Sequence, residues 1–418
     1  MKIGIIGLGD MGKLYARTFA KAGLTVVGCD MPNRMIALQE ELSPLNIAVL
    51  ANASDVCSVS DLIFYAVEAE KISEVVAQSA AAIKSGTIVT GMTSVKTPEV
   101  AAFEKYLSSD IEIMITHSLH GPGFETKGQK LIVAPHRISK ESYQKVLAVL
   151  AVLESEVIEL EDFHQHDQIM ADTQAVTHMG FESMGTAWKN AGTYPWESGA
   201  YVSGIDNVKI LTTLRIFSYK AHIYAGLAIL NPYAEKQIAA YAQSESELFK
   251  MMIQEDEANF RARIYQARDF VFHGQHNLIL FDDDIMKEFS VGSNSALAKS
   301  NSHLSLLAMV DAWFQLKINP YDHMICQTPP FKLRLGIVEY LFKNDDLLEQ
   351  TIQTALFDKS IRGDDLEFHT AVREWAAIIK YKDMEGYKTH FKEAKDFFEP
   401  LLEKGRTQSA ELIQRLTK

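Results

Sequence analysis

Ile3-Gly4-Ile5-Ile6-Gly7-Leu8-Gly9-Asp10-Met11-Gly12 opens the chain with a short apolar run, a G-x-G-x-x-G string and the start of a helical pattern over Lys13 to Ala22. Placed between a strand and a helix, the three glycines have separate duties. Gly7 permits a tight turn, Gly9 lets the backbone approach a pyrophosphate, and Gly12 lets the helix pack closely on the strand. The helix start at Asp10 and Met11 adds N–H groups and the positive end of a dipole. A second apolar run, Thr25-Val26-Val27, leads to Gly28-Cys29-Asp30, where a dinucleotide fingerprint expects an acid for the ribose hydroxyls. Asp30 favours NAD because a carboxylate repels a 2′-phosphate. Arg34 favours NADP because a guanidinium neutralises one. These residues leave both cofactors open.

Further runs at Leu62 to Val67, Thr87 to Thr90, Ile111 to Thr116 and Lys130 to Ala134 alternate with stretches long enough for crossover helices, such as Glu141 to Leu153. That alternation predicts a Rossmann-like, doubly wound parallel sheet over residues 1–160. Beyond it the strand signal fades and amphipathic helical stripes take over. Phe368, Ala371, Val372, Trp375, Ala376 and Ile379 form one behind Asp364 or Asp365 as N-cap, and Leu306, Met309, Val310 and Trp313 form another. Both read as helix-bundle core. The expectation is an α/β domain followed by an all-helical domain over 161–418, with the active site in the cleft between them. Ser290 to Ser302, rich in Ser and Asn, reads as a surface loop.

With 418 residues, 47% hydrophobic and 23% charged, the chain is not globally disordered. No run reaches the roughly 18 to 20 apolar residues that span a bilayer, and Met1 leads into a strand with no basic leader, so a cytoplasmic protein is expected. Cys29, Cys57 and Cys326 are too far apart for a C-x-x-C site and odd in number, which predicts neither a disulfide framework nor a metal site. A net charge of −13 excludes nonspecific nucleic-acid binding, which requires excess cations. An anionic ligand must therefore be held by a few placed cations.

The strand running into Thr116-His117-Ser118-Leu119-His120-Gly121-Pro122 delivers His117 to the C-terminal sheet edge, where doubly wound folds bind ligands. A histidine there can polarise a hydroxyl while hydride leaves the same carbon; His120 reads as a loop cap. Gly91-Met92-Thr93-Ser94-Val95-Lys96 supplies a hydroxyl at Ser94 and an ammonium at Lys96 from a similar strand end. In the helical string His166 to His178, Gln174 and His178 are four apart and so share a face. Arg215 lies in an apolar segment, where it needs an anionic partner, and Lys220 and His222 follow it.

These segments together resemble the prephenate dehydrogenase family, its fungal-type members in particular, over nearly the whole chain. The carrying strings are Ile5 to Gly12, Thr116 to Pro122, Ala171 to Thr177 with His178, and Asn319-Pro320-Tyr321-Asp322-His323-Met324-Ile325-Cys326. The resemblance implies oxidative decarboxylation of prephenate to 4-hydroxyphenylpyruvate and CO2, a step of tyrosine biosynthesis. It further implies NADP, with NAD as the alternative, and a homodimer built through the helical domain. The family's catalytic histidine falls on His117, its serine on Ser94 and its second-domain histidine on His178. Its carboxylate-binding arginine falls on Arg215, with Lys220 as competitor because the spacing differs, and a glutamate of some members falls on Glu125. Arogenate dehydrogenase remains an alternative, as does a module that binds NAD(P) without turnover. A β-hydroxyacid or imine-reducing dehydrogenase is a further one; the hydroxyacid type would place a lysine where this chain has Gln174 and His178.

Overall fold

A computed structural model describes residues 1–123, 125–195, 204–273, 301–326 and 328–416. The chain forms two compact units, Met1–Met170 with Leu230–Pro232, and Ala171–Ile229 with Tyr233–Lys418. Of the predicted loop Ser290 to Ser302, all but the last two residues lie outside the described ones.

In the first unit, β1 (Lys2–Ile6), β2 (Thr25–Cys29), β3 (Ala48–Val49), β4 (Leu62–Tyr65), β5 (Ile88–Gly91), β6 (Glu112–Ser118), β7 (Lys130–Arg137) and β8 (Glu156–Glu159) form one sheet. Its order is β3-β2-β1-β4-β5-β6-β7-β8. The chain order reverses about β1, as in doubly wound folds. Alternate side chains feed two cores: Leu62 and Phe64 of β4 join Tyr15, Phe19 and Leu150 on one face, while Ile63 and Tyr65 join Val56, Val76 and Phe103 on the other. Burial on both faces explains why the central strands read as unbroken apolar runs. Helices α1 (Asp10–Lys21), α2 (Met35–Leu42), α3 (Ala53–Val59), α4 (Ile72–Ser79), α5 (Lys96–Tyr106) and α6 (Lys140–Leu150) cover the sheet, and α7 (Phe163–Met170) completes the unit.

The sheet departs from the all-parallel expectation at one seam, where β6 and β7 pair antiparallel. Residues 119–129 join them with no helix among those described. A parallel return needs a crossover, so the chain folds straight back. β3 and β8 escaped the sequence reading because one has two residues and the other buries only Ile158.

The second unit is helical: α8 (Thr177–Ala191), α9 (Gly204–Phe217), α10 (Ala221–Ala225), α11 (Ala234–Gln254), α12 (Glu257–Phe272), α13 (Leu304–Leu316), α14 (Pro329–Lys343), α15 (Asp345–Phe357), α16 (Arg362–Lys380) and α17 (Met384–Leu416). Both predicted stripes are core, with Trp313 and Trp375 fully buried. The N-cap expectation for Asp364 or Asp365 fails. Helix α16 begins at Arg362 after a short 3-10 turn, so both acids lie in its first turn, where Asp365 accepts a hydrogen bond from Ser302 Oγ. Among the described residues no helix is long and apolar enough to cross a membrane.

Gly91, at the end of β5, is a close-approach position: a Cβ there would lie 2.0 Å from the Glu99 carboxylate. That carboxylate is fully buried and ion-paired with Lys96 Nζ at 2.9 Å, and the ammonium also donates to the Gly91 carbonyl at 3.1 Å. Gly91→Ala should displace the pair and cost about 3 kcal/mol or more, the scale of a broken buried ion pair. Urea midpoints measure this, and a loss under about 1 kcal/mol would show that the pair moves aside freely.

Candidate active site

The first unit supplies a nucleotide loop and a chain of histidines. Gly7 has φ +99°, and a Cβ there would lie 2.4 Å from the Ala66 carbonyl oxygen; at Gly12 a Cβ would lie 1.9 Å from that of Gly7. Neither position admits another residue without backbone movement. A Cβ at Gly9 would meet nothing within 4 Å, so the turn is open where a phosphate must approach. Gly9 is the N-cap of α1, with no side chain capping it, ahead of Asp10 and Met11. These features fit a dinucleotide pyrophosphate.

Asp30 and Arg34, which point to different cofactors in the sequence, are partners in the structure. Arg34 Nη1 donates to Asp30 Oδ2 at 2.9 Å and the Met31 N–H donates to Oδ1 at 2.7 Å. Asp30 is thus compensated, while the Arg34 side chain keeps 39% exposure. A 2′-phosphate beside this pair meets a guanidinium rather than a bare carboxylate.

His117 lies near the end of β6 and is 5% exposed. Its Nδ1 is 2.8 Å from His166 Nε2, and His166 Nδ1 is 2.8 Å from Asp167 Oδ1. Asp167 also accepts from the Lys96 N–H at 2.8 Å and from the Thr97 N–H and hydroxyl at 2.7 Å each, at the start of α5. Burial, with the charges of His166, Lys96 and His120 behind it, holds His117 well below the usual histidine range. Burial lowers His166 too, against the opposing pull of Asp167. For Asp167 burial works upward, yet its hydrogen bonds win and the carboxyl is lowered.

Ser94 is half-buried in the turn between β5 and α5. Lys96 does not serve as a cation for a ligand, because its ammonium is buried on Glu99. The β6 end is tied to α1 by the hydrogen bond between the Ser118 and Tyr15 hydroxyls, and His120 lies against the Gly121 carbonyl in the following loop. Sequence reading passed over His166 and Asp167. An adjacent His-Asp pair early in a helix was the available signal, but a helix surface carries the same residues.

In the second unit, Gln174 and His178 are both buried. A π-helical turn at Ala171–Val176 interrupts the α-helical spacing that would put them on one face. The wider winding of that turn changes the register of neighbours. The His178 ring packs edge-on to Tyr224 with centroids 4.6 Å apart. Burial, and then the charge of Arg334, pulls its pKa down to about 3. Arg215 is buried in α9 with its guanidinium 5.4 Å from the Tyr219 ring centroid, whereas Lys220 is exposed at the N-cap of α10. Glu125 is exposed in the loop after β6.

Arg334 was also missed. It is 3% exposed on α14, stands 3.5 Å from Asp172 Oδ1 through Nη2, and lies over the Trp313 ring. Asp172 in turn accepts from Trp313 Nε1 at 2.8 Å and bonds His323 Nδ1 at 3.0 Å. Two strings that carry the family resemblance, Ala171 to Thr177 and Asn319 to Cys326, therefore meet at one buried carboxylate.

Residues 175–418 match the model of a 6-phosphogluconate dehydrogenase C-terminal domain of the tyrosine-biosynthesis type, and residues 2–157 match the NAD-binding domain of 6-phosphogluconate dehydrogenase. Over 423 aligned residues, 99% of this chain and 93% of the relative, the sequence is 46% identical to a Saccharomyces cerevisiae protein named prephenate dehydrogenase [NADP(+)]. The chain belongs to the prephenate dehydrogenase family. A Schizosaccharomyces pombe protein named a probable prephenate dehydrogenase [NADP(+)] is 42% identical over all of this chain and 99% of its own. The fold resembles that of prephenate dehydrogenase from A. aeolicus, solved with hydroxyphenyl propionate and NAD+. That likeness has a TM-score of 0.50 and 16% identity, and spans 63% of this chain and 94% of that one.

Glu182, one turn after His178, is fully buried and accepts from the Tyr387 hydroxyl at 2.6 Å, while its Oε1 has no partner. Burial raises its pKa to about 8 against that hydrogen bond. A raised carboxyl favours folding in full below its unfolded value, and the benefit is lost as pH rises through the folded one. Between about pH 4.5 and 8, Glu182→Gln should therefore lose less stability than the unaltered chain. Thermal unfolding across that range checks this; parallel curves would show that Glu182 ionises as freely folded as unfolded.

Proposed function

We propose that the protein is an NADP-dependent prephenate dehydrogenase of tyrosine biosynthesis, converting prephenate to 4-hydroxyphenylpyruvate and CO2. The observation that carries this reading is His117, a buried neutral imidazole at the same sheet edge as the glycine loop, in a chain with full-length likeness to enzymes of that name. NADP bound at Gly7, Gly9, Asp10, Met11 and Gly12, with Asp30 and Arg34 at its ribose, supplies the hydride acceptor. NAD is the weaker alternative.

The residues of the chain have the remaining work. Loss of CO2 makes the ring aromatic, so no strong acid or base is needed, only alignment and stabilisation of charge on the 4-oxygen. His117 accepts the hydrogen bond of the 4-hydroxyl, and Ser94 is its second partner. Arg215 binds the pyruvyl carboxylate; Lys220 is the competing anchor. Gln174 and His178 contribute polar contacts to the substrate. The carboxylate that departs is best left without an ion pair, because clamping it as an anion opposes its release as neutral CO2.

We also infer a cytoplasmic homodimer. Three unpaired, buried cysteines suit a reducing compartment, and sedimentation at twice the mass of one chain tests the dimer.

Formation of reduced cofactor, with prephenate and arogenate each crossed with NADP and NAD, tests the function. Turnover is expected with prephenate and NADP, and arogenate turnover alone would move the assignment to arogenate dehydrogenase. His117→Asn should lower turnover about 100-fold to 10,000-fold with NADP affinity kept; unchanged turnover removes His117 from the chemistry. Arg215→Ala should raise the KM for prephenate, and a rise confined to Lys220→Ala would reassign the anchor.

A further inference from the structure

His117 is useful to a substrate hydroxyl only if the nitrogen facing it carries a lone pair. A neutral imidazole has one N–H and one bare nitrogen, and which is which depends on its other contact. We propose that His166 and Asp167 are positioning residues that fix His117 as its Nδ1–H tautomer, leaving Nε2 as the acceptor for the substrate hydroxyl. The proposal rests on the function assigned above.

Asp167 sets the direction of the relay. Its carboxylate accepts the N–H groups of Lys96 and Thr97, where α5 presents the positive end of its dipole, and the Thr97 hydroxyl. An ionised carboxylate cannot donate, so in the 2.8 Å contact His166 Nδ1 is the donor. A neutral His166 then has its lone pair at Nε2, and the 2.8 Å contact with His117 requires the proton to reside on His117 Nδ1. The sequence of bonds has one consistent direction, from His117 through His166 to Asp167. His117 Nε2 is left without a proton.

The charged neighbours agree with that direction. Lys96 lies at the start of α5 with Glu99 bound to its ammonium, and His120 follows β6. Lys96 opposes a proton on either histidine; Asp167 favours one on His166. When the substrate O–H bond breaks, the proton goes to His117 Nε2. The resulting imidazolium keeps its Nδ1–H bond to His166, with the Asp167 carboxylate one residue further to stabilise it. The proton returns to the oxygen as the ring becomes aromatic, so none is consumed within the relay.

Asp167→Asn reverses the relay while nearly preserving shape. The amide oxygen is held by the two Thr97 donors, which turns the NH2 towards His166 Nδ1. His166 must then protonate Nε2, and His117 must move its own proton to Nε2, where the substrate needs an acceptor. The analogous reversal in serine proteases lowers turnover about 10,000-fold. Here we expect kcat to fall about 100-fold or more, with NADP affinity and the KM for prephenate within about threefold. The acid limb of the kcat/KM profile should move to lower pH, because the charge that supports a protonated His117 is gone. His166→Leu should match this loss, and His166→Gln, which keeps an acceptor within reach of His117, should recover at least about tenfold over it.

Nitrogen-15 spectra of histidine-labelled full-length protein with NADP give a readout independent of turnover, with the His117 signals assigned by their loss in His117→Asn. The unaltered chain should show a protonated Nδ1 and a bare Nε2 at His117, exchanged in Asp167→Asn. A proton on His117 Nε2 in the unaltered chain overturns the relay, as does an Asp167→Asn turnover within about threefold of it. If Asp167→Asn fails to fold, the spectrum of the unaltered chain decides alone. Absence of prephenate turnover by the unaltered chain, with the expected spectrum, would instead reject the assigned reaction and leave the tautomer standing.

Discussion

The carboxylate of Asp167 joins parts of the first unit that sequence separates widely. It accepts from two backbone N–H groups and a hydroxyl at the start of α5 and from His166 on its own helix, while the Asp167 backbone carbonyl accepts from Asn231 Nδ2 at 2.8 Å. The last bond explains why Leu230–Pro232, between two stretches of helical unit, belongs to the sheet unit. Burying a carboxylate is expensive, and four donors with a helix dipole behind two of them offset that expense. Once Asp167 is fixed, His166 has one orientation in which both ring nitrogens are bonded. The position of His117 then follows from its strand and its tautomer from its neighbour.

Asp172, five residues on, has the same office in the helical unit. It gathers Trp313, His323 and Arg334 from three separate stretches, and those contacts keep it ionised although burial alone would raise it. The indole that the amphipathic stripe marks as core is therefore also a hydrogen-bond donor. Each unit is organised about an internal carboxylate whose partners come from distant sequence. The net charge of −13 gives no hint of this, because the acids that organise the interior are a small fraction of the total.

The nucleotide loop was legible because its requirements are local. Gly7 and Gly12 are dictated by carbonyl oxygens that a Cβ would strike, and those oxygens belong to the same strand–turn–helix or to its neighbouring strand. His117 was legible because a strand terminus determines which sheet edge a residue reaches. The relay behind it was not, since His166 and Asp167 on paper are ordinary polar residues of a helix. Asp30 and Arg34 were read as alternatives because the bond between them appears only when the end of β2 and the turn after it are folded. The face shared by Gln174 and His178 was read with α-helical spacing, which the π turn at Ala171–Val176 does not obey.

The sequence by itself determined the α/β then all-helical order, the glycine turn, the core stripes and the family. All of these depend on periodicity or on contacts within a few residues, which the order of residues encodes directly. Tertiary structure decided the antiparallel β6–β7 seam, the burial of Lys96 on Glu99, the partners of Asp167 and Asp172, and the raised pKa of Glu182. Those depend on which distant groups share a dry interior, where a single missing or added donor fixes the charge and the proton of its neighbour.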